Sequence, residues 1–175
     1  MKNLSDIKVL YSEEDIQSAI EDLAKKLNSL YNDEEVYLIC ILKGSSFFAA
    51  DLAKRLKVPL QMEFIKLSSY LGTQSSGKIS ADSVTLPDLN GKNVLVVEDI
   101  VDTGRTLKYT VDYLKGKYKM KDLKMCSLLN KQSKRVEKID ADYYLFNVKD
   151  EFVVGYGLDY DGYYRNLPYV GYLEE

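Results

Sequence analysis

The chain has 175 residues, of which 46% are hydrophobic and 29% are charged, and its net charge is −3. This composition suits one compact domain with a hydrophobic core and excludes a disordered chain. The slight negative charge gives nucleic acid and anionic membranes no general reason to bind, and the absence of histidine excludes Ser-His or Cys-His nucleophile pairs and the common zinc sites.

The first third of the chain alternates between helix and strand patterns. Ser12, followed by three acids, predicts the start of a helix, and apolar residues recur after it at three- and four-residue steps. Val36–Leu42 is a continuous apolar run with branched residues, which is typical of a strand covered on both faces. Residues 47–56 then predict a helix, and residues 59–67 predict a strand.

The alternation continues after an interruption. Residues 69–83 are polar and contain glycine, which predicts a mobile loop, and Asn90-Gly91 predicts a turn. The remaining pattern predicts a buried strand over 94–97, a helix over 105–114, strands over 123–129, 143–148 and 152–156, and a loop-like tail after Gly157. Strands that alternate with helices predict an α/β fold with a mostly parallel sheet.

The strongest local feature is the segment from residue 94 to residue 106. An apolar strand runs directly into carboxylates, and a Thr-Gly-Arg-Thr turn then opens a helix. Ligands of open α/β sheets bind beyond the carboxyl ends of the strands, and a helix N-terminus offers free amides and partial positive charge to a phosphate. Gly104 allows close approach of the backbone, and Thr103, Arg105 and Thr106 add donors.

Glu98 and Asp99, which precede this turn, are suited to hold ribose hydroxyls or a Mg²⁺ ion. A single acid at a strand end would be an ordinary solvated side chain. The full order is an apolar strand, two acids, two apolar residues and then Asp-Thr-Gly-x-Thr from Asp102 to Thr106. It resembles the motif with which type I phosphoribosyltransferases bind 5-phosphoribosyl 1-diphosphate (PRPP). The resemblance implies that Glu98, Asp99 and residues 102–106 bind the ribose 5-phosphate part of PRPP.

The resemblance also implies the fold of that family. The expected architecture is a central, mostly parallel sheet flanked by helices, with a small hood formed by the chain ends and a mobile lid loop. We expect one phosphoribosyltransferase domain over residues 1–175, with the lid near 69–83 and a purine-binding hood mainly from 130–175. Ser69 and Tyr70 match the lid, which excludes water when substrates are bound; their composition alone also fits an ordinary surface loop.

The segment Leu42-Lys43-Gly44 resembles the pyrophosphate-binding loop of the same family. The resemblance implies a cis peptide between Leu42 and Lys43, and it implies that Arg165 faces pyrophosphate oxygens. Without the family, Lys43-Gly44 is an ordinary turn from strand to helix, and Arg165 is a solvated side chain.

The C-terminal part resembles the purine pocket of the hypoxanthine-guanine phosphoribosyltransferases. Lys131 matches a lysine whose ammonium group donates a hydrogen bond to the purine O6. Phe152 matches the residue that stacks on the base, and the backbone of Val153 matches the one that reads the base edge. Without the family, Lys131 is a surface lysine and Phe152 is a core residue.

The implied activity is the transfer of the phosphoribosyl group from PRPP to N9 of hypoxanthine or guanine, which yields IMP or GMP and pyrophosphate in purine salvage. Mg²⁺ is the implied cofactor, with Glu98, Asp99 and Asp159 as its carboxylates. Asp102 is the implied general base for the purine N7 proton, and a carboxylate in this role suits a chain without histidine.

Three other interpretations stay open. A regulator with the same fold would bind nucleic acid and take PRPP or a nucleotide as an effector, but such proteins usually need a basic face. A phospho-acceptor receiver domain would explain Asp99 or Asp102, but not the turn that follows. A transferase for xanthine or another base would differ only in specificity, and the preference among hypoxanthine, guanine and xanthine is not readable from the pattern.

Location and partners follow from simpler observations. No apolar run approaches the roughly 20 residues that span a bilayer, and the polar start lacks the apolar core of a signal peptide, so we expect a cytoplasmic protein without membrane or nucleic-acid partners. Cys40 and Cys126 lie in apolar stretches, which is typical of buried thiols. The resemblance implies a homodimer or homotetramer.

Overall fold

The computed structural model describes residues 6–69, 79–81 and 85–173. Its elements in chain order are β1 (Ile7–Tyr11), α1 (Glu13–Tyr31), β2 (Val36–Leu42), α2 (Ser46–Ala53), β3 (Leu60–Ser69), β4 (Ile79–Ala81), β5 (Asn93–Val101), α3 (Arg105–Lys117), β6 (Asp122–Asn130), a 3₁₀ turn (Gln132–Lys134), β7 (Tyr143–Asn147), β8 (Val153–Val154) and β9 (Val170–Leu173).

Six strands form the main sheet in the order β4-β3-β2-β5-β6-β7. All except β4 are parallel to their neighbours, and β4 runs antiparallel at one edge. The prediction of an α/β fold with a mostly parallel sheet is therefore confirmed. Since parallel strands end at the same edge of a sheet, the residues that follow β2, β5 and β6 lie near one another.

The central strand β2 is buried on both faces, as its apolar run predicts. Alternate residues from Val36 to Cys40 pack in a core with α1 and α2. The residues between them, from Tyr37 to Ile41, pack in a second core with α3. Burial raises the pKa of the thiol of Cys40, and the predicted burial of both cysteines is confirmed.

A second, smaller sheet, which we call the hood, consists of β1, β9 and β8 in antiparallel order. Its side chains have their own small core, built from Ile7, Val154, Tyr164 and Leu173. The prediction of a loop-like tail after Gly157 is confirmed for residues 158–169, which form turns and isolated bridges, and was wrong for Val170–Leu173, which form β9. The predicted strand over 152–156 is reduced to two residues in the hood.

Strand β5 extends further than predicted, to Val101 rather than residue 97. Its parallel ladder with β6 continues through Glu98↔Ser127 and Val101↔Asn130, so the acids belong to the strand and not to a loop beyond it. Part of the predicted loop over 69–83 is also strand, since Ile79–Ala81 pairs with the end of β3. The rest of that loop, including Tyr70, lies outside the described residues. Among the residues that are described, no helix is long and apolar enough to cross a membrane.

Helix α1 begins with a capping box, which fixes how the chain enters the main core. The hydroxyl of Ser12 accepts a hydrogen bond from the amide of Asp15 (3.1 Å), and the carboxylate of Asp15 accepts one from the amide of Ser12 (2.9 Å). These bonds satisfy amides that the first turn of a helix leaves without partners.

The substitution Ser12→Ala tests this cap. We expect the free energy of unfolding to fall by about 1 kcal/mol, the typical cost of losing a serine N-cap, as measured by urea unfolding followed by circular dichroism. Ser29→Ala is the control, because exposed Ser29 lies inside the same helix and donates only to the carbonyl of Lys25. An equal loss of stability in both variants would contradict the capping role.

Candidate active site

Three adjoining clefts surround the turn between β5 and α3. The first has a volume of about 480 Å³ and is lined by Ile41, Leu42, Lys43, Gly44, Leu67, Glu98, Asp99, Thr106, Asp159 and Arg165. The second has a volume of about 200 Å³ and is lined by residues 98–104, Thr106 and Leu107. The third has a volume of about 640 Å³ and is lined by Asp102, Lys131, Lys134, Asp150, Glu151, Phe152, Tyr172 and Leu173. The second cleft shares Glu98, Asp99 and Thr106 with the first and Asp102 with the third, so the three clefts adjoin one another, and we call them together the groove.

The turn itself presents backbone amides at the start of α3. Gly104 is the N-cap residue of this helix and adopts a left-handed conformation (φ 81°), and no side chain caps the helix. Within the described ranges, the amides of Thr103 and Gly104 donate to no protein acceptor. Free amides at a helix N-terminus form a site for an anion such as phosphate.

Glu98 and Asp99 form a buried pair of carboxylates beside the turn. Glu98 is only 5% exposed, and its Oε2 atom has no hydrogen-bond partner in the part of the chain that the structure describes. Burial, followed by the neighbouring charge of Asp99, raises the pKa of Glu98 well above its usual value. Burial also raises the pKa of Asp99, against the opposing effects of hydrogen bonds with Glu98 and the amide of Ile100 and, to a smaller extent, of the charge of Arg165. A cation in the first cleft would offset both costs.

The wall of the first cleft is packed at backbone level. The peptide between Leu42 and Lys43 is cis, as the resemblance implies. The backbone of Gly44 lies so close to Asp99 that an added Cβ would be 1.4 Å from the Oδ2 atom of Asp99. Gly157, at a positive φ of 102°, touches the carbonyl of Gly44, since a Cβ there would be 1.9 Å from that oxygen. Only glycine fits either position.

Opposite this wall, Asp159 and Arg165 are held as an ion pair. Nη2 of Arg165 lies 2.6 Å from Oδ1 of Asp159, Nη1 donates to the carbonyl of Gly157 (2.5 Å), and the amide of Gly162 donates to Oδ2 of Asp159 (2.7 Å). The pair therefore brings a cation and an anion to the same cleft as Glu98.

The third cleft combines an apolar surface with polar groups. Lys131 is 92% buried (8% exposed), and its ammonium group donates to the carbonyl of Glu151 (3.1 Å), so it is not an ordinary surface lysine. Phe152 is half-exposed, and its ring packs edge-to-face against Tyr160 with centroids 5.5 Å apart. Oδ1 of Asp102 is buried and has no partner among the described residues. An exposed aromatic face and two polar groups suit a flat heterocycle.

The carboxylate oxygens of the first cleft suit Mg²⁺ better than other metal ions. No group of three or more potential ligands converges among the described residues, so Glu98, Asp99 and Asp159 do not enclose an ion by themselves. The two adjacent carboxylates, with Asp159 across the cleft, fit Mg²⁺, because protein sites for Mg²⁺ typically supply one or two carboxylates and leave other positions to water and substrate phosphates.

The structure brings together most residues that the sequence predicts for the site. The exceptions are few: the Arg105 side chain is exposed and lines none of the three clefts, Val153 is buried and pairs with Tyr172, and Ser69 is the last residue of β3. Tyr172 and Arg135 were not predicted. Tyr172 lies in the unpredicted strand β9, and Arg135 lies in a lysine-rich stretch that is typical of solvated surface.

Comparisons with known proteins agree with this geometry. Residues 7–161 match the family described as the phosphoribosyl transferase domain. A hypoxanthine-guanine phosphoribosyltransferase of Streptococcus pyogenes is 43% identical over 169 residues, which cover 96% of this chain and 93% of the relative. A crystal structure of a hypoxanthine phosphoribosyltransferase from Staphylococcus aureus superimposes with a TM-score of 0.91 at 41% identity, covering 97% of this chain and 93% of that one.

A longer relative is also similar. The bifunctional protein TilS/HprT of Listeria monocytogenes is 45% identical over 168 residues, which cover 95% of this chain. The match spans only 26% of that relative's length.

The substitution Gly44→Ala tests the close packing of the first cleft. The new Cβ would overlap Asp99, so we expect the free energy of unfolding to fall by about 1–3 kcal/mol, the usual cost of overpacking. Gly116→Ala in α3 is the matched control, since an added Cβ there meets nothing within 4 Å, and it should raise stability by roughly 0.5–1 kcal/mol. Urea unfolding measures both, and a Gly44→Ala variant as stable as the parent would contradict the described packing.

Proposed function

The chain belongs to the phosphoribosyl transferase domain family, and from this premise we propose that it transfers the 5-phosphoribosyl group of PRPP to N9 of a 6-oxopurine. The products are IMP or GMP and pyrophosphate, as in purine salvage. The proposal carries over to this chain the activity for which its relatives from Streptococcus pyogenes and Staphylococcus aureus are named.

The observation that carries the proposal is the order of the three clefts. The third cleft, with its aromatic ring and buried lysine, adjoins the second, which the turn lines, and the second adjoins the first, which contains carboxylates and Arg165. These suit, in turn, a purine, a ribose 5-phosphate and a pyrophosphate, which are the parts that the reaction joins or separates. Asp102 lines both the second and the third cleft.

The turn from Asp102 to Thr106 holds the 5′-phosphate. The amides of Thr103 and Gly104 and the hydroxyl groups of the two threonines are the donors, and the N-terminus of α3 adds partial positive charge. Arg105 contributes charge from the exposed side of the turn. Holding the phosphate fixes the ribose relative to the base, which lowers the entropic cost of reaching the transition state.

At the pyrophosphate end, Leu42, Lys43 and Gly44 form one wall and Arg165 the other. Lys43 and Arg165 supply the positive charge that binds the leaving group.

A Mg²⁺ ion bound by Glu98, Asp99 and Asp159, directly or through water, would stabilise negative charge on the leaving pyrophosphate. The protein carboxylates also stabilise the positive charge that develops on the ribose as the C1′–O bond breaks.

In the base cleft, Phe152 stacks on the purine, the backbone near Val153 reads its edge, and Lys131 donates to O6. A donor at this position favours 6-oxopurines, because the 6-amino group of adenine is itself a donor. Asp102 accepts the N7 proton, since this residue lines both the cleft at the turn and the base cleft.

Two further features belong to the proposal. Ser69 and Tyr70 contribute to a lid that closes over the groove, and the chain assembles into a homodimer or homotetramer. A nucleic-acid-binding regulator with the same fold is the remaining alternative from another class, and nothing in the groove favours it.

The proposal is tested by incubating the protein with PRPP, Mg²⁺ and one base at a time from hypoxanthine, guanine, xanthine, adenine and uracil. We expect nucleoside monophosphate and pyrophosphate from hypoxanthine or guanine, and none from adenine or uracil. RNA and DNA retention on a filter at low salt is the parallel measurement. Retention without product from any base would favour the regulator instead.

Asp102→Ala tests the general base. We expect kcat to fall by about 10²–10⁴-fold, the usual contribution of general acid–base catalysis, with hypoxanthine as the base. Asp22→Ala is the control, because Asp22 forms only an exposed ion pair with Lys25 on α1. A loss of less than about tenfold in Asp102→Ala would remove this carboxylate from the base role.

Lys131→Met tests recognition of O6. We expect kcat/KM for hypoxanthine to fall by roughly 10–100-fold, as for the loss of one hydrogen bond from a charged donor. The loss for guanine should be similar, because guanine carries the same O6 acceptor. Lys26→Met on the exposed face of α1 is the control, and a parental kcat/KM for hypoxanthine in Lys131→Met would contradict a role in reading O6.

A further inference from the structure

Arg135 lies behind the phosphate-binding turn, on the side away from the clefts. Its side chain is 14% exposed, and its guanidinium group uses all of its nitrogens. Nε donates to the carbonyl of Asp102 (3.0 Å), and Nη2 donates to the carbonyl of Val101 (3.0 Å) and to Oδ1 of Asn130 (2.7 Å). Nη1 donates to the carbonyl of Ile139 and to the carboxylate of Asp140.

The two residues that follow Arg135 bind the carbonyl of Thr103, also by hydrogen bonds. The amides of Val136 and Glu137 both donate to the carbonyl of Thr103 (3.0 Å each), and the amide of Lys131 donates to that of Val101 (3.0 Å). Three successive carbonyls, those of residues 101, 102 and 103, therefore face the segment from 131 to 137.

This arrangement decides where the amides of the turn point. In a planar trans peptide, the C=O and N–H bonds point in opposite directions. The amides of Asp102, Thr103 and Gly104 therefore point away from Arg135. The second cleft is lined by residues 98–104, and successive amides of this kind form a concave anion site.

The fit between the two segments is also steric. A Cβ at Gly104 would lie 3.1 Å from Cδ of Arg135 and 3.1 Å from Cγ2 of Ile139. The aliphatic stem of Arg135 thus packs against the one residue of the turn that has a positive φ. Arg135 both binds the turn by hydrogen bonds and limits the space behind it.

We propose that Arg135 is a positioning residue for PRPP: its guanidinium group fixes the peptides of the turn so that their amides form the phosphate site and the carboxylate of Asp102 faces the base. The inference rests on the proposed function and deepens it. Arg135 touches no substrate, and it acts through the main chain of Val101 and Asp102. A lysine cannot replace it, because one ammonium group cannot reach acceptors that the planar fork spans.

The guanidinium group has a second effect through its charge. Asp140, its only carboxylate partner among the described residues, is largely exposed, with a side chain 70% accessible. Solvent screens that anion more strongly than it screens the buried cation. The positive charge of Arg135 therefore adds to the partial charge at the N-terminus of α3, and both favour a phosphate on the opposite side of the turn.

The test compares Arg135→Lys with the parent enzyme and with Arg55→Lys. Arg55 is a matched control, because its guanidinium group also binds a backbone carbonyl and an amide oxygen, those of Asp51 (2.9 Å) and Gln17 (2.8 Å), but in the α1–α2 layer. Steady-state kinetics give KM for PRPP, KM for hypoxanthine and kcat, and thermal unfolding gives the melting temperature of each variant.

We expect Arg135→Lys to raise KM for PRPP about tenfold or more and to lower kcat, with KM for hypoxanthine changed less than about threefold. Arg55→Lys should lose a similar amount of thermal stability and leave KM for PRPP within about twofold of the parent. A second variant, Arg135→Ala, should regain part of its kcat/KM for PRPP when millimolar guanidinium is added, whereas Arg55→Ala should not.

Other results would overturn the inference. An Arg135→Lys variant with the same KM for PRPP as the parent would show that the guanidinium group is not required to position the turn. Equal changes in both KM values, or a variant unfolded at the assay temperature, would make Arg135 a general structural residue. A parent protein that forms no nucleotide would instead contradict the proposed function itself. In that case, the melting temperature still tests the positioning of the turn. Inosine monophosphate should raise the melting temperature of the parent protein and should not raise that of Arg135→Lys.

Discussion

The groove depends on one constraint, the orientation of the peptides between β5 and α3. Each planar peptide that turns its carbonyl toward the segment from 131 to 137 must turn its amide the other way. Three peptides do so in succession, immediately before a helix whose N-terminus has no side-chain cap. The same short turn therefore creates the anion site and carries Asp102 to the junction with the base cleft. The parallel sheet makes this possible because it brings the ends of β2, β5 and β6 to one edge.

Groups of opposite charge lie on the two sides of the first cleft. Burial raises the pKa of Glu98, and it raises that of Asp99 although hydrogen bonds and, less strongly, the charge of Arg165 oppose the shift. On the far wall Asp159 and Arg165 are already paired. A carboxylate pair that is costly to ionise, next to a cation that is partly neutralised, suits a site that receives a metal and a polyanionic substrate together. The bound metal would balance the negative charge of the carboxylates, and the polyanionic substrate would balance the positive charge of Arg165.

Local patterns in the sequence were sufficient to predict most of the main sheet and the turn, and the family resemblance extended the prediction to much of the groove. A continuous apolar run identifies β2, and the order of acids, Thr and Gly identifies the turn. The resemblance implied a hood formed by the chain ends, but the pattern predicted neither of its long-range strands. This is because β1 pairs with β9 across nearly the whole chain, as in Ile7↔Leu173, and neither segment has a distinctive alternation. Arg135 was missed for a related reason: its role is set by three carbonyls that are distant in sequence, while its neighbours suggest a solvated surface. Tertiary hydrogen bonds of this kind leave no periodic signal.

The most direct test is a crystal structure of this protein with inosine monophosphate. We expect the phosphate within hydrogen-bond distance of the amides of Thr103 and Gly104, and the base against Phe152 with O6 near the ammonium group of Lys131. A phosphate bound outside this turn, or loop amides that face the protein interior in the complex, would contradict the account.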